Sequence, residues 1–494
     1  MNADTSLLES SFLTTIGLEI HIQLQCQTKL FGPAQSPVRF ASSQGQQGLA
    51  PNSFLDPTTL GLPGALPSLN ALAVEQALRM ALALNCEIPE WSQFERKHYF
   101  YPDLPKGYQI TQFTHPIAKH GFVYLKSGKK IRINRIQLEE DAGKSVLQGS
   151  YNLLDFNRSG VALIEIVGEP DLESSWEAAE FFEKIHSLGV YHNITQGKME
   201  WGHCRADANI SLRPHVDAPL GTRVEIKNIN SFRFLQEALE CEKDRQLQCY
   251  LNQIPVARET RGYNPQTKSS FFMRSKENEQ DYLYFADPDL PKLHVDSLFL
   301  EKIKQSMTPE KETLLSQLLE KTSVDPATLL QVIEKPRLRE QLLQFIPYSK
   351  SHSTNRKFVF FLLQHWSSKW DQFESTQSDS VPQPDPTIWK DLAPVFENAL
   401  EKIPDFLNGL QRIWENKSIV GELLQEFTIN EVNTDALLSY CQSILEKFPD
   451  QTKGAREGTR KLIHFLIGQA MKTNDQKLPS KEITSCIHSL IKET

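Results

Sequence analysis

The sequence predicts an α+β protein with a mixed, largely antiparallel sheet in its N-terminal domain, an all-helical domain after it, and a small helical tail domain at the end. Two observations carry that reading. Up to about residue 295, short β-rich runs alternate with Gly/Pro turns and long insertions, without the regular strand–helix rhythm of a parallel sheet. Beyond Asp287-Pro288-Asp289-Leu290-Pro291, whose prolines disfavour regular structure, the apolar spacing turns helical and stays so. The expected domains are therefore 1–295, 296–428 and 429–494.

In chain order, β-rich runs fall at Thr15–Leu24, Lys130–Leu138, Gly160–Val167, Ala208–Leu212 and Thr222–Ile226. Between them, Ser174 and Glu177 have capping-box spacing. Ala178, Phe181, Phe182, Ile185 and Leu188 then form one apolar helix face, with Gly189 as the expected stop. A second helix is expected over Phe232–Leu251. The later helices are read at Leu298–Gln305, Glu310–Lys321, Pro326–Ile333, Arg337–Phe345 and Arg356–Trp366. The polar, proline-bearing stretch Ser375–Pro386 reads as a loop, and a compact helical set follows from about Asn430.

Composition narrows the class. With 494 residues, 39% hydrophobic and 23% charged, the chain has the make-up of a soluble globular protein of several domains. It contains no apolar run of the ~20 residues that a membrane helix needs. Met1–Thr15 lacks Lys and Arg, unlike a secretory or mitochondrial leader. Seven scattered cysteines without a C-x-x-C pair fit a reducing compartment, so the expected location is the cytoplasm. The net charge of −8 argues against a broad positive field for nucleic acid, although a local basic face remains open.

Three strand-like segments place charged groups at alternate positions, hence on one face. They carry Glu19 and His21; Arg205, Asp207 and Asn209; and Glu225 and Lys227. A fourth segment, Leu138–Lys144, packs Glu139, Glu140 and Asp141 side by side. Carboxylates converging on one face repel unless a cation lies between them, which points to Mg²⁺ and through it to nucleotide phosphates. Lys227 and Arg205 would face phosphoryl oxygens. An ordinary half-exposed sheet shows the same alternation, so convergence is the decisive question. Ala142-Gly143-Lys144-Ser145 ends like a phosphate-binding loop, but position 138, where that motif needs glycine, is Leu138. In the tail, Lys453, Arg456, Arg460, Lys461, Lys472, Lys477 and Lys481 face only Glu457 and Asp475. They flank an apolar stripe (Leu462, Ile463, Phe465, Leu466, Ile467, Met471), as a helix gripping RNA phosphates would. A solvated helix face explains the same lysines.

At these motifs the chain resembles the B subunit of bacterial-type aspartyl/glutamyl-tRNA amidotransferases. The resemblance rests on an ordered series that includes IGLEIHIQL at 16–24, YFYPDLPKGYQITQ at 99–112, LEEDAGKS at 138–145 and DFNRSGVALIEIVGEPD at 155–171. GKMEWGHCRADANISLRP at 197–214, EIKNINSFRF at 225–234, MRSKENEQDYLYFADPDLPKL at 273–293 and KLIHFLIGQAMK at 461–472 continue it. It implies a glutamine-synthetase-like cradle domain, a helical domain and a tail that contacts tRNA. The implied reaction is ATP-dependent phosphorylation of the side-chain carboxylate of Glu-tRNA(Gln) or Asp-tRNA(Asn), followed by amidation with ammonia. A glutamine-hydrolysing A subunit would supply the ammonia, and a small C subunit would brace the pair. The alternatives are a tRNA-binding scaffold without catalysis and a stand-alone carboxylate–amine ligase.

By motif, the resemblance places Glu19, His21 and Glu140 around metal and nucleotide, with Glu139, Asp207, Glu225 and Lys227 behind them. Arg205 joins the nucleotide-binding set, and Glu139 or Glu140 marks the opening of the ammonia path. The chain departs from the family twice. Where many relatives carry two zinc-binding cysteine pairs, it reads Leu30-Phe31-Gly32-Pro33-Ala34 and Asp56-Pro57-Thr58-Thr59. Zinc is therefore not expected, and hydrogen bonds and packing must hold that loop. The histidine usual before the paired glutamates is Gln137.

Overall fold

The computed structural model describes residues 12–39, 50–275, 282–349, 351–369, 388–415, 420–427, 434–473 and 480–492. The expected loop at 375–386, the 428/429 boundary and Lys477 lie outside the described residues. Two compact units emerge: 1–343 with 351–381, and 344–350 with 382–494.

The first unit is built on an eight-stranded sheet. Its strands are β1 (Leu13–Gln23), β5 (Ala118–Tyr124), β6 (Lys130–Glu140), β9 (Ala162–Gly168), β10 (Cys204–Arg213), β11 (Val224–Ile229), β12 (Glu259–Asn264) and β13 (Ser269–Ser275). They lie in the order β13-β12-β11-β10-β1-β9-β6-β5. All neighbours are antiparallel except β11 and β12, as expected for strands joined without a βαβ rhythm. β2 (Trp91–Ser92) pairs with β15 (Leu293–His294). β3 (Glu95–His98), β4 (Tyr108–Thr111) and β14 (Leu283–Ala286) form a three-stranded sheet, and β7 (Lys144–Gln148) with β8 (Tyr151–Asp155) forms an exposed hairpin.

Alternation in β1 decides what the large sheet does. Ile16, Leu18, Ile20 and Ile22 are fully buried on one face, and each contributes on the order of 1.5–3 kcal/mol by leaving water. Three helices cover that face: α1 (Ala71–Ala83), α2 (Ser175–Tyr191) and α3 (Phe232–Leu251). Their caps are local. Asn70 accepts from the N–H groups of Leu72 and Ala73, Ser174 from that of Glu177, and Ser231 from that of Phe234. Glu177 returns a bond to the N–H of Glu173, one residue before the cap.

Gly189 does not stop α2, which runs on to Tyr191. A Cβ there would lie 3.1 Å from Thr195 Cγ2, a tight contact, so the glycine lets the segment after the helix pack closely. Short helices follow: α4 (Ser297–Ser306), α5 (Lys311–Thr322), α6 (Pro326–Ile333), α7 (Pro336–Phe345) and α8 (His352–Phe361), the last extended by a π-helical turn over Leu362–Trp366.

The second unit is helical: α9 (Ile388–Leu392), α10 (Phe396–Ala399), α11 (Ile403–Glu415), α12 (Val420–Phe427), α13 (Thr434–Lys447), α14 (Pro449–Arg456), α15 (Arg460–Lys472) and α16 (Ser480–Lys492). Its last four helices share a small core that includes Cys441, Ile444, Ala455, Leu466, Ala470, Ile483 and Ile487.

Candidate active site

Opposite the helices, the large sheet presents a polar face, and strand pairing sets the order of its side chains. Directly opposed residues share a face. In one row Gln137 of β6 opposes Glu165 of β9, Glu165 opposes His21 of β1, and His21 opposes Arg205 of β10. In the next row Glu19 opposes Asp207. In a third, Asn209 opposes Glu225, which pairs with Thr260 of β12. An irregularity between Ala206 and Ala208 brings Lys227 to the same place. Its Nζ donates to Asp207 Oδ2 at 2.8 Å and lies 3.3 Å from Glu225 Oε1.

Two groups of ligand-type side chains result. His21, Glu139 and Glu165 place one ligand atom each within 4.8 Å of one another, and Glu19, Asp207 and Glu225 do the same. Neighbours orient the first group. Glu139 accepts from Thr111 Oγ1 at 2.7 Å, Gln137 Nε2 at 2.7 Å and Gln109 Nε2 at 3.0 Å, so β4 closes over this part of the face. His21 Nε2 lies 3.3 Å from Glu165 Oε2, while its buried Nδ1 has no hydrogen-bond partner among the described residues.

The electrostatics favour an additional cation. Burial raises the Glu139 carboxyl above the usual range and Glu165 adds to the rise, against the opposing pull of Lys97 and His21. Burial likewise raises Glu19, with Glu165 adding and Lys227 opposing. Glu165 is the exception: burial pushes it up, but the hydrogen bond and charge of His21 hold it at about 2. On His21 burial acts downward, and Glu165 overcomes it to raise the imidazole above its ordinary value. Asp207, pushed up by burial, is held low chiefly by Lys227. Two sets of carboxylates, with the Glu139 and Glu19 carboxyls raised by burial and by Glu165 and the His21 Nδ1 unpartnered among the described residues, fit the oxygen-rich ligation of a divalent ion.

The structure separates residues that sequence alone set together. Glu139, Glu140 and Asp141 are neighbours in the chain, yet each meets different partners: Glu139 and Glu140 leave β6 on opposite faces, and the strand ends at Glu140, before Asp141. Glu139 enters the His21 group. Glu140 is buried in an ion pair with Lys106 and accepts from the Ile110 N–H at 3.0 Å, joining neither group. Asp141 accepts from Gln23 at 2.9 Å and from Arg205 at 3.2 and 3.3 Å, with Arg158 at 3.7 Å. Arg205 is thus engaged with Asp141 at the margin of the face. Glu19 and His21, expected around a single metal, belong to separate groups.

Sequence reasoning missed Glu165. A single carboxylate within Val161–Val167, apolar on both sides, was the available signal, since a charge buried in a strand requires a partner. It also missed Lys97, which lies over the Tyr282 ring at 5.0 Å and is the main charge that opposes the rise of the Glu139 carboxyl.

The loop that departs from the family closes on a carboxylate. Asp56, 7% exposed, accepts from the N–H of Ala34 at 3.1 Å and from both the N–H and the hydroxyl of Thr59, at 2.8 and 2.9 Å. A Cβ on Gly32 would come within 2.5 Å of its Oδ2, so glycine is required there. In the helical unit, Lys453, Arg456, Arg460, Lys461 and Lys472 on α14 and α15 are all exposed. The side chain of Lys481 lies outside the described residues.

Residues 14–301 match the family described as the GatB/GatE catalytic domain, and residues 408–491 match the GatB domain. The chain is similar to the B subunit of the aspartyl/glutamyl-tRNA(Asn/Gln) amidotransferase of Persephonella marina, 34% identical over 97% of this chain and 100% of that one. The protein of the same description from Bacillus velezensis is 37% identical over 94% of this chain and 96% of its own length. That of Thermotoga maritima is 35% identical, covering 96% and 97%.

Proposed function

The chain belongs to the GatB family, the B subunits of tRNA-dependent amidotransferases, and we propose that its polar sheet face carries out the ATP-dependent amidation. The substrate is Glu-tRNA(Gln), Asp-tRNA(Asn) or both. The observation that carries this reading is the presence of two ligand-type groups, His21/Glu139/Glu165 and Glu19/Asp207/Glu225, on one face of one sheet.

A carboxylate is a poor electrophile. The side-chain carboxylate of the esterified amino acid takes the γ-phosphoryl group of ATP, releasing ADP. Ammonia then attacks the acyl carbon, phosphate leaves, and the amide remains on the RNA. Bound by the two groups, Mg²⁺ would neutralise charge on the phosphoryl oxygens. Lys227, held between Asp207 and Glu225, supplies a fixed positive charge beside them. Thr111, Gln137 and Gln109 hold Glu139 in one orientation, as an ion-binding carboxylate requires.

As a B-type subunit the chain works within a multi-subunit ligase. The same reading assigns ammonia supply to a glutamine-hydrolysing A subunit, bracing to a small C subunit and tRNA contact to the exposed bases of α14 and α15. It places the complex in the cytoplasm and divides the chain at 295/296 and 428/429. No helix among the described residues is long and apolar enough to cross a membrane.

The test is reconstitution with both partner subunits, ATP, Mg²⁺, glutamine and each mischarged tRNA, following amide formation. RNA binding without amide formation on either tRNA would leave a scaffold. ATP turnover on a small acid without RNA would make the chain a free-standing ligase.

A further inference from the structure

The proposal here rests on the amidation reading and adds where the RNA end sits. The side-chain carboxylate of an amino acid esterified to RNA reaches the polar face only with the terminal ribose and base of that RNA alongside, so something at the rim must receive a nucleotide. Two parts of the fold meet there. The loop after β3 carries Tyr99, Phe100 and Tyr101. Tyr99 donates to Gln109 Oε1 at 3.4 Å, and Gln109 donates to Glu139, so this loop is continuous with the candidate metal site. Its outer residues are open to solvent: Phe100 is 88% and Tyr101 51% exposed, a large aromatic area with no fold-stabilising explanation.

The second part is Arg274 on β13. It opposes Thr260, whose hydroxyl donates to Glu225 at 2.9 Å, so Arg274 stands in the same row of the face as the second ligand group. Its guanidinium reaches the Tyr101 hydroxyl at 3.3 Å, spanning from the outer strand of the sheet to the aromatic loop. The Tyr99 and Tyr101 rings are 5.7 Å apart at 65°, so Tyr101 packs edge-on against Tyr99 while remaining half exposed.

We propose that Phe100, Tyr101 and Arg274 form the seat of the 3′-terminal nucleotide of the aminoacyl-tRNA, with an aromatic ring stacking on its base and Arg274 facing its phosphate. Stacking accepts any base because every base has a π face, and a guanidinium beside an aromatic is the usual complement to a single-stranded polyanion. Arg274 brings positive charge to a rim that otherwise leads to two carboxylate groups, which matches an RNA end. The adenine of ATP is the competing occupant, and the test separates the two.

The reconstituted complex is titrated with deacylated full-length tRNA and with the same RNA lacking its terminal nucleotide. For the unmodified complex the shorter RNA binds about tenfold more weakly, the scale of one base stack. Tyr101→Ala binds full-length tRNA at the shorter RNA's level and no longer distinguishes the two. Tyr101→Phe, which keeps the ring and removes the hydroxyl that meets Arg274, still distinguishes them. A Tyr101→Ala complex that discriminates as well as the unmodified one overturns the seat, as does a higher KM for ATP with RNA discrimination intact. Either result leaves the amidation reading standing wherever the unmodified complex forms the amide. An unmodified complex that binds neither RNA removes both.

Discussion

Glu139 and Glu140 show how one strand position can separate two roles. Glu165 shares its group with His21 and Glu139, whereas Glu140 is sealed against Lys106. Glu165→Gln should raise the Mg²⁺ concentration for half-maximal amide formation by roughly 10- to 100-fold, the cost of disturbing a metal site's ligand set. Glu140→Gln should leave that concentration unchanged. It should instead lower stability by about 3–5 kcal/mol in urea unfolding, because Lys106 is left buried without its counter-charge. The reverse pattern would return Glu140 to the metal. Lys29 gives a pH signature. It is 1% exposed, and burial lowers its ammonium to about 8, against the pull of Asp56 and Glu140. Between about pH 8 and the unfolded value of about 10.4 the unfolded chain holds more protons, so this group makes stability rise with pH. Wild type should therefore gain roughly 2–3 kcal/mol on Lys29→Met between pH 7.5 and 10. A pH-independent difference in their urea midpoints would refute that assignment.

Elements are where local sequence rules worked and where they stopped. The strands carrying Glu19/His21, Arg205/Asp207 and Glu225/Lys227 were legible because alternation has period two, and α6 because Asp325 and Pro326 announce its start. β3, β4 and β14 were not legible. Each has four residues, too few for a pattern, and they become strands only by pairing with one another. Helix α1 was missed although Asn70 caps it, because its start follows a proline-rich run. The loop held by Asp56 is testable at this scale. Asp56→Ala removes three hydrogen bonds to a charged acceptor and should cost about 2–4 kcal/mol, read as a lower urea midpoint. Asp56→Asn, which keeps part of that bonding, should cost less, and equal losses would mean that packing alone holds the loop.

For the molecule as a whole, a formal charge of −8 coexists with exposed bases on α14 and α15, so RNA affinity should be local and salt-dependent. In the reconstituted complex, Arg460→Gln combined with Lys461→Gln should flatten the slope of log K for tRNA against log salt by about one for each phosphate no longer neutralised. An unchanged slope would show these side chains to be a solvated helix face. Sequence by itself determined the fold class, the change to helix after residue 295 and which strands bear charge, because periodicity and turn chemistry are local properties. Tertiary structure alone decided that Glu165 joins His21, that Glu140 does not, and that Arg274 meets Tyr101. Those outcomes depend on strand order and register, which are set by burying the shared apolar face of β1 and its neighbours beneath three helices that lie far apart along the chain.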